Sequence, residues 1–189
     1  DKIVGQAGQT KIVPVVKLVT TFQKKIVNIA KGFIFGKPVT YIQKSDDAKT
    51  GKAFELLNSV LDGNKTEYKD RNIAETVMIE TRCAELWTVS FDSKDIKTVK
   101  FILLSKKTGN EIYPYFDNTG NMVAFTRKFK INGIQYIEIY TALKIIKAVS
   151  KTGSWDILEI PNPFKKIPVV YYEQEEPEWA DVQTLIDRI

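Results

Sequence analysis

The sequence predicts an α+β fold: N-terminal helices, then an antiparallel β meander, then the start of a long helix. Three observations carry this. Apolar residues recur at three- and four-residue spacings up to about residue 86, and short β-rich runs separated by turn residues follow. The last segment returns to helical spacing. The 189 residues are 43% hydrophobic and 27% charged, an ordinary globular composition that argues against disorder.

In "KLVTTFQKKIVNIAKGFIFG", Leu18, Phe22, Ile26, Ile29, Ala30 and Phe33 form one apolar stripe, and Lys17, Lys24, Lys25 and Lys31 lie largely off it. The spacing predicts a helix over 16–35, the main element of 1–36, with Pro14 before or within its first turn. Gly36 suits the position after the C-cap, and Pro38 prevents the helix from resuming. Gly36, Lys37 and Pro38 therefore read as a structural turn. "PVTYIQ" reads as a short strand with Val39 and Tyr41 on one side, and "KSDDAKTG" as a surface loop. A helical pair is expected over 50–86. "KAFELLNSVLDGN" closes at Asp62-Gly63-Asn64, and a longer helix runs from Lys65 to Leu86 with Tyr68, Ile73, Val77, Ala84 and Leu86 inward.

Over 86–172 the runs "LWTVSF", "TVKFILLS", "NEIYPYFD", "MVAFTRKFKI", "IQYIEIYT", "LKIIKAVS", "SWDILEI" and "KIPVVYYE" predict strands of a meander. Between them lie the turn signals Asp92-Ser93, Thr108-Gly109-Asn110, Asp117 to Gly120, Asn132-Gly133 and Thr152-Gly153. Pro168 sits near a strand start, where a missing donor is tolerated. From Pro177 a helix is expected, with Glu178 and Asp181 at its positive end and Trp179, Val182, Leu185, Ile186 and Ile189 as its stripe.

Chemistry-bearing motifs are scarce. There is no histidine, which removes the commonest general base and zinc ligand; Ser-Lys or carboxylate chemistry remains open. The single cysteine, Cys83, cannot form an internal disulfide and reads as a buried structural thiol within the longer helix expected from Lys65 to Leu86. "GFIFGKP" has three residues between its glycines and Pro38 where a phosphate loop needs a hydroxyl, so it reads as a helix end. "DNTGN" has its glycine one place too early for an EF-hand and reads as a hairpin turn. No pattern calls for a cofactor or a metal. The aromatic set Tyr113, Tyr115, Phe116 and Phe125, near Arg127, Lys128 and Lys130, suits strand core or base stacking, with core the simpler reading. No apolar run is long enough to span a membrane.

Charge is divided unevenly. Residues 154–189 hold eight acids and three bases, a net of −5, whereas 1–153 hold 15 acids and 25 bases, a net of +10. Such asymmetry suits opposite patches that meet, a basic face for nucleic acid over 97–151, or a solvated surface.

Four stretches, in order, carry a family resemblance: "KKIVNIAKGFIFGKPVTY", "FELLNSVLDGNKTEYKDRNIAETVMIETRCAELWTVSF", "IYPYFDNTGNMVAFTRKF" leading into "YIEIYT", and "KKIPVVYYEQEEPEWADVQTLIDRI". Together they resemble the portal (connector) proteins of long-tailed double-stranded-DNA phages. The resemblance implies a wing-like domain over 1–176 and the start of a stem-directed helix over 177–189. Stem, clip and crown would lie beyond. It implies a structural, non-enzymatic subunit of a homo-oligomeric ring, usually a dodecamer, at the capsid vertex. Double-stranded DNA would pass through the ring without sequence reading. Terminase, scaffolding and major capsid proteins and head–tail adaptors would be its partners. The protein would be made in the bacterial host cytoplasm, in some cases from a prophage, and end in the virion. The start at Asp1 and the end within a helix lead us to expect a chain processed or cut from a longer one. A closed ring needs a head-to-tail interface. We expect acidic Glu173, Glu175 and Glu176 to face a basic surface around Lys24, Lys25 and Lys31 of the next subunit.

Overall fold

The structure is a computed structural model that describes residues 2–6, 9–13, 21–45, 47–91, 97–151 and 153–187. Two strands open the chain, β1 (Lys2–Gln6) and β2 (Gln9–Val13), paired antiparallel as a sheet of their own. Three helices follow: α1 (Phe22–Ile34), α2 (Ala48–Asn64) and α3 (Thr66–Glu80). Then come β3 (Arg82–Phe91), β4 (Lys97–Leu104), β5 (Asn110–Phe116), β6 (Met122–Ile131), β7 (Ile134–Tyr140), β8 (Lys144–Lys151), β9 (Ser154–Pro161) and β10 (Val169–Glu173). A 3₁₀ turn (Ala180–Val182) and a short α4 (Gln183–Ile186) end the described chain. The α+β class, with helices ahead of antiparallel strands and a helix at the end, is as the sequence predicts.

The strands from β3 to β10 form two sheets rather than one meander. β5 to β9 pair in chain order, but β3 and β4 join β10 in a three-stranded sheet of order β10-β3-β4. This sheet is the middle layer. On one side Ile73 and Val77 of α3 pack with Cys83 and Phe101 of the sheet, supported by Trp87, Leu103 and Tyr172. On the other side Ala84, Leu86, Leu104 and Val169 meet Ile112, Phe125, Tyr140 and Ile145 of the five-stranded sheet. Leu86, Leu104 and Phe125 are fully buried, and each contributes roughly 1.5–3 kcal/mol relative to an exposed side chain.

Several expected boundaries shift for physical reasons. The second long helix ends at Glu80, so Cys83, Ala84 and Leu86 lie in β3. Residues 83–86 are buried without a break because both faces of β3 are covered, and such a run loses the alternation that marks a strand. The switch occurs at Thr81, which adopts left-handed backbone (φ 66) although it is β-branched. It is held by Thr81 N–H donating to Val77 O (2.8 Å) and by Gln174 N–H donating to Thr81 O (2.8 Å). α2 begins earlier than expected, because the Asp47 carboxylate accepts from Thr50 N–H (2.9 Å), and continues through Gly63 and Asn64 to a left-handed Lys65. Residues 38–43, expected as a strand, pair with no strand among the described residues, and Val39 and Tyr41 are exposed. The final helix is a 3₁₀ turn plus one helical turn, and Ile189 lies outside the described residues. The N-terminal hairpin was not expected at all. Residues 14–20 and the Asp92-Ser93 turn also lie outside the described residues.

The buried residue of α1 is Val27, which lies off the expected stripe; of that stripe Ile26 and Ala30 are half-buried, while Phe22, Ile29 and Phe33 are exposed, Phe33 at 86%. Gly36 follows the C-cap as expected, and its role is space: a Cβ there would come within 3.0 Å of Gly32 O. Two turns of the five-stranded sheet match their signals, the β7–β8 turn had none, and Thr152 lies outside the described residues. Asn132 (φ 51) and Gly133 (φ 82) occupy the two left-handed positions of a two-residue hairpin turn. In the turn after β5, the Asp117 carboxylate accepts from Thr119 N–H and Asn121 N–H, both at 2.9 Å.

The free edge of β4 is closed by side chains. Asn64, buried at the end of α2, accepts from Phe101 N–H (3.0 Å) and donates to Val99 O (2.9 Å) and Val60 O (2.7 Å). Its carboxamide thus imitates a neighbouring strand. Lys69 Nζ donates to Phe101 O (2.6 Å) and lies 4.0 Å over the Phe101 ring. Glu80 ties the β4–β5 turn to α3 by accepting from Lys106 N–H (2.9 Å) and Lys107 N–H (3.0 Å).

Asn64→Ala should therefore destabilise the fold by about 2–4 kcal/mol, because it strands buried main-chain groups of β4. Asn64→Asp should also destabilise, by removing both donors. Thr81→Gly should stabilise by about 1 kcal/mol by relieving left-handed strain. Denaturant unfolding of the three variants checks all these outcomes.

Candidate interaction surfaces

Three surfaces bear on function. The first follows β10. Glu173 stands directly opposite Arg82 in the β10–β3 register, an opposite-charge pair within one chain. Glu175 and Glu176 are exposed on the bend beyond it. Glu173 and Glu175 share an open cleft of about 980 Å³ with Glu80, Arg82, Glu111 and Tyr113. A cleft with several acids suits carboxylate chemistry in principle, but two of these groups are committed. Glu80 is held by main-chain donors of the β4–β5 turn. The Tyr113 hydroxyl (2.8 Å) and Lys128 (3.2 Å) hold the Glu111 carboxyl below its ordinary range. Glu111 is therefore no proton-holding acid. Among the described residues, no cluster of three or more His, Cys, Asp or Glu is placed to hold a metal.

The second surface is the basic face of α1. Lys24 and Lys25 are exposed. Lys31 pairs with Glu75 of α3 at 2.6 Å, and this contact is the main reason the Glu75 carboxyl lies below its ordinary range. The structure thus gives Lys31 and Glu173 in-chain counterparts and leaves Lys24, Lys25, Glu175 and Glu176 on the surface. It does not bring the two sets into contact. Gln23 Nε2 donates to Gln183 Oε1 (3.0 Å), so α1 and the terminal helix adjoin within one subunit. The acidic segment is also pinned to α3, with Glu178 N–H donating to Met78 O (3.0 Å).

The third surface is a mainly apolar groove of about 510 Å³ between the helices and the middle sheet, lined among others by Tyr41, Ile73, Val77, Trp87 and Phe101. Two carboxylates lie in it. Glu85, buried in β3, accepts from Trp87 Nε1 (3.1 Å) and from the Tyr172 hydroxyl. Burial pushes the Tyr172 hydroxyl pKa up, with Glu85 adding to the effect. Asp70 has its pKa raised by burial. Sequence reasoning missed both acids: Glu85 lies in a strand with two covered faces, which gives no periodic cue, and Asp70 lies in α3 off the residues expected to face inward. Cys83, on the same side of β3, is fully buried as expected of a structural thiol, although in a strand rather than a helix. Burial, then Glu85 and Glu80, push it up to about 12.

The aromatic and basic residues of 97–151 do not form one binding face. Phe125 is fully buried, whereas Tyr113, Tyr115 and Phe116 are exposed. Five of the bases are paired within the five-stranded sheet. Arg127 grips the buried Glu138 (2.6 Å), with Lys147 at 3.9 Å from the same carboxylate. Lys128, Lys144 and Lys151 pair with Glu111, Glu159 and Asp156. Local neutralisation weakens the case for this region as a phosphate-binding face. No helix among the described residues is long and apolar enough to cross a membrane.

Comparison with protein-family models matches residues 11–189 to the phage portal proteins described as SPP1 Gp6-like. The chain belongs to this family. No curated protein matches the sequence.

Asp70 yields a pH prediction. Its folded-state pKa is raised, so the folded chain holds its proton more tightly than the unfolded chain. Stability from this group is greatest at low pH and is lost as pH rises through the carboxylate range. Asp70→Asn should be more stable than the parent at neutral pH, and the gap should narrow on acidification. Urea unfolding across that pH range checks the direction.

Proposed function

We propose that this phage portal chain is the wing-like region of a subunit that closes into a ring, with 1–176 as the wing and 177–189 leading toward the stem. The family match across residues 11–189 carries the reading. Its role is structural. The ring lies at the capsid vertex and encloses the path of DNA during packaging and ejection. It serves as the docking platform for terminase and then for head–tail adaptors, with scaffolding and major capsid proteins as assembly partners. DNA that must slide calls for diffuse backbone contacts rather than base reading, in keeping with the locally paired charges of 97–151. A dodecameric ring, made in a bacterial host and in some cases from a prophage, is the form we infer.

In a head-to-tail ring one face of a subunit meets a different face of its neighbour. We assign the acidic bend to one face and the start of α1 to the other. Glu175 and Glu176 are the groups we assign to the neighbour, with Lys24 and Lys25 as their counterparts. Their exposure and opposite charge support this assignment. Glu173 and Lys31 join the same patches but are partly engaged within the chain.

The test is electron microscopy of the full-length product. Rings are expected from the parent protein. Glu175→Lys with Glu176→Lys should reduce ring closure most at low salt, where charge contacts are least screened. Adding Lys24→Glu and Lys25→Glu should restore it. Rings that form equally well in the first double variant at every salt concentration would remove this interface, and a parent protein that never forms rings would remove the portal reading.

A further inference from the structure

The two edges of the five-stranded sheet differ in a way that points to a docking strand. β5 and β9 are its outer strands. In an antiparallel ladder, alternate residues send their main-chain groups to opposite sides. The two-residue turn at Asn132-Gly133 makes Ile131 and Ile134 a mutually hydrogen-bonded pair, which fixes the alternation across the sheet. Carried through the registers of β7, β8 and β9, it turns Ser154, Asp156, Leu158 and Ile160 toward β8. Trp155, Ile157, Glu159 and Pro161 then direct their main chain outward. Carried the other way, it directs Ile112, Pro114 and Phe116 outward from β5. Both prolines thus fall where the missing N–H faces away from the sheet, the position a strand tolerates.

The consequence is unequal. The β5 edge is interrupted at its centre by Pro114 and irregular at Tyr115 and Phe116, two devices that discourage strand addition. On β9, Trp155, Ile157 and Glu159 keep their outward N–H and C=O groups, and proline appears only at the end. Among the described residues, no hydrogen bond reaches those outward groups. The side chains offer apolar surface as well: Trp155 is 44% exposed, Ile157 66% and Leu158 58%. An eight-residue edge strand left open, with exposed apolar side chains on it, invites β-augmentation.

A candidate occupant lies in the same sequence. The β1–β2 hairpin is a two-stranded sheet by itself, and such a hairpin is marginal in water without a third strand. Its strands, KIVGQ and QTKIV, are rich in β-branched residues and carry Lys2 and Lys11 with no acid. β9 carries Asp156 and Glu159 with no base. Those acids face Lys151 and Lys144 across the sheet, but at exposed positions where a pair contributes little.

We propose that the outer edge of β9 accepts the β1–β2 hairpin of a second copy of this chain, continuing the five-stranded sheet across the subunit boundary. The donor and acceptor surfaces differ, as a ring contact requires; in this respect the inference rests on the ring reading. Two experiments test it. In the first, copies carrying Ile12→Cys are mixed with differently tagged copies carrying Ile157→Cys and treated with a short bismaleimide. The native Cys83 is buried and should not react. Covalent pairs of unlike copies are expected. Absence of any cross-link would overturn the edge contact. A double variant that links only within one molecule would place the hairpin on its own β9 and overturn the second copy as occupant. In the second, Ile157→Pro removes one outward donor and leaves the β8 side of the ladder intact, whereas Ile157→Thr keeps the donor. Ring closure of the full-length product should fall at least tenfold with proline and hold with threonine. Rings indifferent to Ile157→Pro would remove this inference and leave the portal reading standing. Cross-linked pairs from a protein that forms no rings would do the reverse.

Discussion

The rest of the structure depends on β3 having no free face. From Cys83 to Leu86 four successive side chains are buried, alternately toward α3 and toward the five-stranded sheet. One strand thereby joins the helical layer to the β layer. This placement dictates what surrounds it. Glu85 falls on the helix side by parity and is tolerated because Trp87 and Tyr172 donate to it. Ala84 and Leu86 fall on the other side and pack with Phe125 and Tyr140. The helices then need anchors at the rim of the sheet, and Asn64, Lys69 and Glu80 supply them by bonding to main-chain groups of β4 and its turn.

Much of the β-rich half was legible because its pairing is local. Asn132-Gly133 dictates a tight hairpin, and glycine supplies the left-handed position in three further turns. What was not legible depended on distant residues. Thr81 gives no sign of ending a helix, and its left-handed backbone is secured partly by Gln174, far along the chain. The pairing of β10 with β3 separates one expected meander into two sheets, and no local pattern encodes a partner nearly ninety residues away. The β1–β2 hairpin did leave a signal, β-branched runs on either side of Ala7-Gly8, which the helix that follows overshadowed.

The interaction surfaces were legible as charge and not as geometry. The acidic end and basic beginning of the chain are visible in composition. That Lys31 is taken by Glu75, and that Glu173 faces Arg82, follows only from the packing of α1 on α3 and the register of β10. The basic stretch 97–151 shows the same limit. Its lysines look available in sequence, yet cross-strand neighbours neutralise several of them. The pocketed acids left no cue: Glu85 is buried by the double cover of β3, and Asp70 by the packing of α3 against that sheet.

The topology also orders the birth of the subunit. β5 to β9 join only to their neighbours in sequence, so each hairpin closes a short loop and can form as the ribosome releases it. β10 must instead return across the whole five-stranded sheet to reach β3, a slow closure available only after Glu173 has emerged. The acidic bend follows β10 directly. A nascent chain therefore acquires its finished middle layer and that charged bend within a few residues of synthesis, and an incomplete chain has neither to offer a neighbour.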